Sequence, residues 1–205
     1  MNNHLFNYAA QACKKVYDDH VDLGTTEYHV SYTTHGHEFV QVLTIAGSNE
    51  KADWLINFNL LSWKGIKIGA YKAAKQLHDH FQHIRNPDYK LMVTGHSKAG
   101  ATAIAYAKLF PVDYCIAFAP ARSLRYWTDR KMKNTYLFID PDDPVHQVGF
   151  INFGHPICEQ CILPNNHNFL HVMDHHIDNF IAYLEKDDDH GDRNPTTMDR
   201  KASLS

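Results

Sequence analysis

The sequence predicts an α/β domain: a mostly parallel central sheet flanked by helices, preceded by an N-terminal helix and an antiparallel hairpin. Strand-like and helical runs alternate from residue 89 to residue 141. Apolar residues recur at helical spacing in three further stretches. A chain of 205 residues, 44% of them hydrophobic, is long enough to bury the core such a sheet needs.

Residues 3 to 19 carry Leu5, Tyr8, Ala9, Ala12, Val16 and Tyr17 at helical spacing, an amphipathic first helix. "TEYHVSYTT" and "HEFVQVLTIAG" are rich in β-branched and aromatic residues and flank His35-Gly36, which predicts the hairpin. From Gly65 to Arg85, Ile66, Ala70, Ala73, Ala74, Leu77, Phe81 and Ile84 form an apolar stripe, a long helix ended by Asn86-Pro87. Strand "YKLMVTG", helix "KAGATAIAYAKLF", strand "DYCIAFAPA", a short helical stretch near 122–132 and strand "NTYLFIDP" follow. That order predicts parallel strands whose functional residues gather at their carboxyl ends. After Pro144, "HQVGFINFGHPICEQCILPNN" predicts short strands or a hairpin, and "MDHHIDNFIAYLEK" a last helix with Ile177, Phe180, Ile181 and Leu184 on one face. One domain over residues 1–186 is expected, followed by a polar tail, 187–205, too poor in apolar residues to pack.

A formal net charge of -3 and the lack of a long basic run exclude nucleic acid as an expected partner. No apolar segment reaches the 18 or so residues of a membrane span. The N-terminus lacks the apolar stretch and cleavage site of a secretory signal. Cys13, Cys115, Cys158 and Cys161 are scattered, as suits a reducing compartment, so a cytoplasmic location is expected.

Between the strand ending near Thr94 and the following helix stands "GHSKAG", residues 95–100. A serine on a sharp strand-turn-helix junction has its hydroxyl lifted clear of the sheet, and the next backbone N–H points at a developing oxyanion. The motif G-x-S-x-G would place glycine at position 99, where Ala99 adds one methyl. A serine between small residues is also an ordinary turn or helix N-cap.

The segment "VLTIAGSNEKADWLINF", together with the serine motif, resembles the class 3 lipase family of the α/β-hydrolase fold. Gly47, Ser48, Asp53 and Trp54 match the family's Gly-Ser or Gly-Thr pair and its acid-tryptophan pair; Gly95, His96, Ser97 and Gly100 match its G-H-S-L-G-G. Ala46, Lys98 and Ala99 depart from the family pattern. The resemblance spans residues 28–185 and implies a serine hydrolase acting on acyl esters, lipids among them, with no cofactor or metal and only transient contact with a lipid surface. It implies Ser97 as nucleophile and Ser48 and Lys98 as donors of the two oxyanion-hole N–H groups, with the Ser48 hydroxyl as a third.

In the expected order of Ser, acid, His, the acid candidates are Asp140, Asp142 and Asp143. Resemblance favours Asp143, which precedes Pro144-Val145, although His146 stands where the family has proline; Asp140 is the second choice. Resemblance favours His175 as base, five residues before Phe180, with His176 and His171 as alternatives. Residues 49–64 offer Trp54, Leu55, Ile56, Phe58, Leu60, Leu61 and Trp63 for an acyl-binding lid or for core packing.

Three other readings compete. His155, Cys158, Cys161 and His167 combine zinc-ligating residue types at a spacing that is not a standard finger; the two cysteines are otherwise strand residues or a redox pair. A non-catalytic binding module on the same fold would have lost its acid or histidine. A thioesterase or acyltransferase would keep the serine and change the acceptor.

Overall fold

The computed structural model describes residues 3–24, 26–47, 62–126, 128–141, 143, 153–164 and 176–188, with residues 187 and 188 by backbone only. Helix α1, Asn3–Lys15, buries Leu5, Phe6, Ala9, Ala10 and Cys13, and Lys14 and Lys15 in its last turn complement the helix dipole. The short strand β1 (Val21–Asp22) pairs with β2 (Glu27–His35), which runs antiparallel to β3 (Glu38–Ile45) from Tyr28↔Ile45 to His35↔Glu38. Gly36, at φ +61°, supplies the left-handed residue of this two-residue hairpin.

The expected helix from Gly65 to Arg85 is shorter. Ser62–Trp63 (β4) and Ile66–Lys67 (β5) form a hairpin turned through Lys64 and Gly65, both at positive φ, so helix α2 covers Ile68–Phe81. Ile84 lies beyond its end and is exposed. Strand β6 (Lys90–His96), helix α3 (Lys98–Leu109) and strand β7 (Tyr114–Phe118) follow as expected. The described residues of the stretch 122–132 are not helical. Its backbone is taken by cross-strand partners: Lys67 N–H donates to the Ser123 carbonyl (2.8 Å) and Arg125 N–H to the Gly65 carbonyl (2.7 Å), and Leu124–Arg125 forms β8. Strand β9 (Lys131–Ile139), the short β10 (Phe153–Gly154), β11 (Ile157–Ile162) and helix α4 (Ile177–Asp188) complete the described chain.

The main sheet has the order β1-β2-β3-β6-β7-β9-β11, with β3 through β11 mutually parallel. A small antiparallel sheet, β10-β8-β5-β4, stands apart from it. Because successive strand residues face opposite ways, Leu43, Ile45, Leu91, Val93, Ala117 and Leu137 pack under α2 and α3. Val40, Val42, Met92, Ile116, Phe118 and Phe138 pack under α1 and α4. Ile177, Phe180, Ile181 and Leu184 of α4 are all buried in that second layer. No described helix is long and apolar enough to cross a membrane.

The register aligns the carboxyl ends of the parallel strands. Ile45 pairs with Gly95, His96 with Phe118, Phe118 with Phe138, and Ile139 with Ile162. Gly47, Ser97, Ala119, Asp140 and Leu163 therefore emerge along one edge.

Candidate active site

Ser97 occupies the junction between β6 and α3 at φ 62° and ψ -126°. This is the mirror image of an extended conformation, a place in turns dominated by glycine. An ordinary N-cap serine has β-region dihedrals and a side-chain oxygen that accepts from the first turn. Ser97 has neither, since its hydroxyl makes no capping bond. The N-cap reading of this serine is thereby excluded. The chain is held in the turn by the Ser97 N–H, which donates to the Phe118 carbonyl (2.9 Å), and by the Ser97 carbonyl, which accepts from the Ala101 N–H (3.2 Å).

The neighbouring small residues are accounted for by contact. A methyl on Gly95 would lie 2.6 Å from the backbone C and O of Ala99. A methyl on Gly100 would lie 3.0 Å from the Pro120 Cβ and 3.1 Å from the Gly95 carbonyl oxygen. Position 95 needs glycine, and Gly100 is packed tightly enough that a methyl would have to push its neighbours aside. Position 99 does not need glycine, because the Ala99 methyl, 3.0 Å from where a Gly95 Cβ would stand, fits in the room that Gly95 leaves. Ala99 is buried, whereas Lys98, the first residue of α3, carries its side chain into solvent.

At the neighbouring strand end, Ala46 N–H donates to the Glu27 carbonyl (2.9 Å), extending the hairpin pairing up to Gly47. A methyl on Gly47 would lie 3.4 Å from the His96 carbonyl oxygen and 2.6 Å from the Tyr17 hydroxyl, so this strand end abuts both the serine turn and the residues after α1. Tyr17 hydrogen-bonds the Gly47 backbone, and burial pushes its phenol up to about 12. Ser48, Asp53 and Trp54 lie outside the described residues, as does the lid candidate up to residue 61. Of that candidate's described end, Ser62–Trp63 is the strand β4, with Trp63 exposed.

Asp140 directly follows β9 and is half-buried. Asp143 is 1% exposed and folds back on that turn, its N–H donating to the Asp140 carbonyl (3.2 Å). Asp142 is outside the described residues. Strand spacing puts the ends of β6 and β9, two strands apart, about 10 Å from each other. His176 immediately precedes α4, is exposed, and uses its carbonyl to accept from the Asn179 N–H (3.1 Å). His175 and His171 lie outside the described residues. The first turn of α4 reaches the same edge: the Phe180 ring sits 6.4 Å from that of His96 and 5.6 Å from that of Phe118.

The zinc set does not assemble. Cys158 packs in the layer under α2 and α3, while Cys161 packs in the opposite layer with α1 and α4. Three residues apart on one strand, they face opposite sides of the sheet and share neither an ion nor a disulfide. Burial pushes the Cys158 thiol up to about 12, away from a metal-binding thiolate. Both cysteines are strand residues, and His167 lies outside the described residues.

Sequence reasoning missed the contact of Tyr17 with Gly47, having read Tyr17 only as part of an apolar stripe. Thirty residues separate the two, and no local pattern announces the pairing.

No protein-family model and no curated protein matches the sequence. Solved structures do. A triacylglycerol lipase from Penicillium expansum is 18% identical, the match covering 78% of this chain and 81% of that one at a TM-score of 0.57. The Lip2 lipase from Yarrowia lipolytica is 14% identical over 80% of this chain and 81% of its own, at 0.53. A fungal lipase in an inhibitor complex is 17% identical over 77% and 78%, at 0.52. With its parallel sheet, its layers of helices and a strained serine turn after the central strand, the chain has the α/β-hydrolase fold in the form of these fungal lipases.

Proposed function

We propose that the protein is a carboxylic ester hydrolase that works through an acyl-enzyme on Ser97. The observation that carries this reading is the Ser97 turn, a non-glycine residue at φ 62° whose hydroxyl caps nothing and stands at the carboxyl edge of a lipase-like sheet. Backbone strain of this kind clusters at active sites, and it supports the reading of Ser97 as the nucleophile.

In this reading the Ser97 oxygen attacks the acyl carbonyl carbon while His175 takes its proton. The resulting oxyanion accepts from the N–H groups of Lys98 and Ser48, each donor contributing about 3 to 4 kcal/mol of transition-state stabilisation. Collapse expels the alcohol, which leaves with the proton from His175; water then repeats the sequence and releases the acid. Asp143 holds the imidazole tautomer and balances its charge. Its near-complete burial favours it over Asp140, since a carboxylate is kept inside a protein only with partners. His175 is taken as the base on the resemblance, with His176, exposed at the start of α4, and His171 as the alternatives. The substrate class is a small acyl ester or a lipid, met in solution or by transient contact with a lipid surface.

Labelling with a fluorophosphonate, compared between wild type and Ser97→Ala, tests the nucleophile. Wild type is expected to label and Ser97→Ala to remain unlabelled. Failure of folded wild type to label overturns the hydrolase reading. A nitrophenyl ester series from acetyl to palmitoyl, run with and without a competing alcohol, then separates esterase, lipase and acyltransferase.

A further inference from the structure

We propose that the small antiparallel sheet, where it leads into α2, forms a binding site for a phosphate group, with Lys67, Ser123 and Arg125 as its side-chain donors. Assigning that phosphate to the ester substrate rests on the hydrolase reading of Ser97; the site itself does not.

Strand pairing brings these residues to one face. Lys67 lies opposite Ser62 of β4, and on its other side its N–H donates to the Ser123 carbonyl (2.8 Å), so Ser62, Lys67 and Ser123 stand side by side. Ile66 and Leu124, paired with each other, point the other way into the core. Arg125 pairs with Phe153 and donates from its Nε to the Ser62 Oγ (2.8 Å). The Phe153 ring then gathers both cations, the Arg125 guanidinium 4.5 Å and the Lys67 ammonium 5.8 Å from its centroid. None of the four strands contains an acidic residue.

Three further observations point to an anion at this place. Ser123 is 1% exposed, and its Oγ has no hydrogen-bond partner among the described residues, a condition native structures seldom leave without a reason. Helix α2 starts directly after Lys67 with no side-chain cap and no acid in its first turn, so its leading N–H groups and the positive end of its dipole are turned toward the end of β5. No described atom lies within 4 Å of where a methyl on Gly69, in that first turn, would stand, which leaves room there. Burial pushes the Lys67 ammonium down to about 8, and a bound oxyanion favours its charged form. A phosphate has the charge and the number of acceptor oxygens to take a hydroxyl, an ammonium, a guanidinium and helix N–H groups together.

The site adjoins the edge that bears Ser97. Residues 119–123 join the end of β7, where the Phe118 carbonyl accepts from the Ser97 N–H, to β8, and Pro120 in that connection abuts Gly100 of α3. The substrate class this implies is an acyl ester with a phosphate on its alcohol side.

The test is the melting temperature of wild type against the concentration of inorganic phosphate and of glycerol phosphate, each compared with chloride at equal ionic strength. A saturable rise is expected. In Ser123→Ala and in Lys67→Met the apparent Kd should weaken by about 10- to 100-fold, the range of one hydrogen bond to a charged group. In chloride Ser123→Ala should melt no lower than wild type, because the hydroxyl it removes is unsatisfied without the anion. No saturable rise with either probe, or the same rise and midpoint in both variants, overturns the site. Inorganic phosphate should also raise the KM of an acylglycerol phosphate and leave that of the neutral acylglycerol unchanged; an equal effect on both, or none, overturns the assignment of the site to the substrate. Failure of folded wild type to label with a fluorophosphonate removes the hydrolase reading, and the melting data still decide the site.

Discussion

Replacing Ser97 by glycine should stabilise the protein while abolishing its reactivity, and the size of the gain follows from the backbone. At φ 62° and ψ -126° an L-residue occupies a region that costs about 1–3 kcal/mol. Glycine adopts that region without steric strain but gives up about 0.4–1 kcal/mol through the greater freedom of its unfolded chain. The balance is a gain of about 0.5–2 kcal/mol, or about 1–8 °C in melting temperature at roughly 2–4 °C per kcal/mol for a chain of this size. Ser97→Ala is the necessary control. It removes the same hydroxyl but keeps a Cβ, and with it the strain, so it should melt close to wild type. Differential scanning calorimetry of the three proteins, each checked for loss of fluorophosphonate labelling, gives the comparison. If Ser97→Gly melts at or below Ser97→Ala, the turn is not strained in solution and the principal support for Ser97 as nucleophile is lost.

Asp143→Asn should reduce kcat by about 10,000-fold, the scale set by a triad acid replaced with geometry intact. Asp140→Asn should stay within about threefold, and the opposite ranking in initial-rate assays would exchange the two roles. Lys98→Leu replaces a solvent-exposed cation beside the nucleophile, so the kcat/KM ratio of anionic to neutral esters of equal chain length should fall by about 3- to 10-fold, consistent with a single exposed charge; an unchanged ratio would refute a role for Lys98 in substrate preference. Burial pushes the Lys67 ammonium down to about 8, from an ordinary lysine value near 10.5. Below pH 8 the folded state therefore carries this charge at a desolvation cost, and between about pH 8 and 10.5 the unfolded state binds the extra proton, so stability from this group rises with pH. Lys67→Met should consequently raise the melting temperature at pH 7, with an advantage over wild type that shrinks through that window; an advantage independent of pH would contradict the assignment.

Most of the sheet was legible in the sequence because its strands are short apolar runs bounded by glycine and proline, and because parallel order follows from alternation with helices. The hairpin of residues 27–45 and the α4 stripe from Ile177 to Leu184 followed directly from period. What escaped was decided by partners distant in sequence. Ile66 continues the α2 stripe by spacing, yet its place in β5 is fixed by pairing with Leu124, 58 residues on. The stretch 122–132 carries helix-compatible residues, but its backbone is claimed by Gly65 and Lys67. Cys158 and Cys161 looked like one ligand pair until the strand between them set a face for each. At the proposed site, Ser97, Lys98 and Asp143 were nameable from motif and order, whereas the contact of Tyr17 with Gly47 was not.

The near-miss in "GHSKAG" takes on a different meaning once the contacts are counted. Of the small residues around the serine, Gly95 faces backbone at 2.6 Å and Gly100 a ring carbon and a carbonyl at 3.0–3.1 Å, both tight for a methyl, whereas Ala99 is the position with room for one. The departure from G-x-S-x-G therefore falls where it leaves the turn intact. A binding module that had abandoned catalysis would have no physical need to hold a serine at φ 62°, since a glycine there relieves the strain and an extended serine caps the helix. The persistence of the strained conformation, held by the Phe118 carbonyl on one side and the first turn of α3 on the other, thus weighs for chemistry at Ser97. It also moves the open question from Ala99 to Lys98, whose backbone suits any oxyanion and whose ammonium does not suit every substrate.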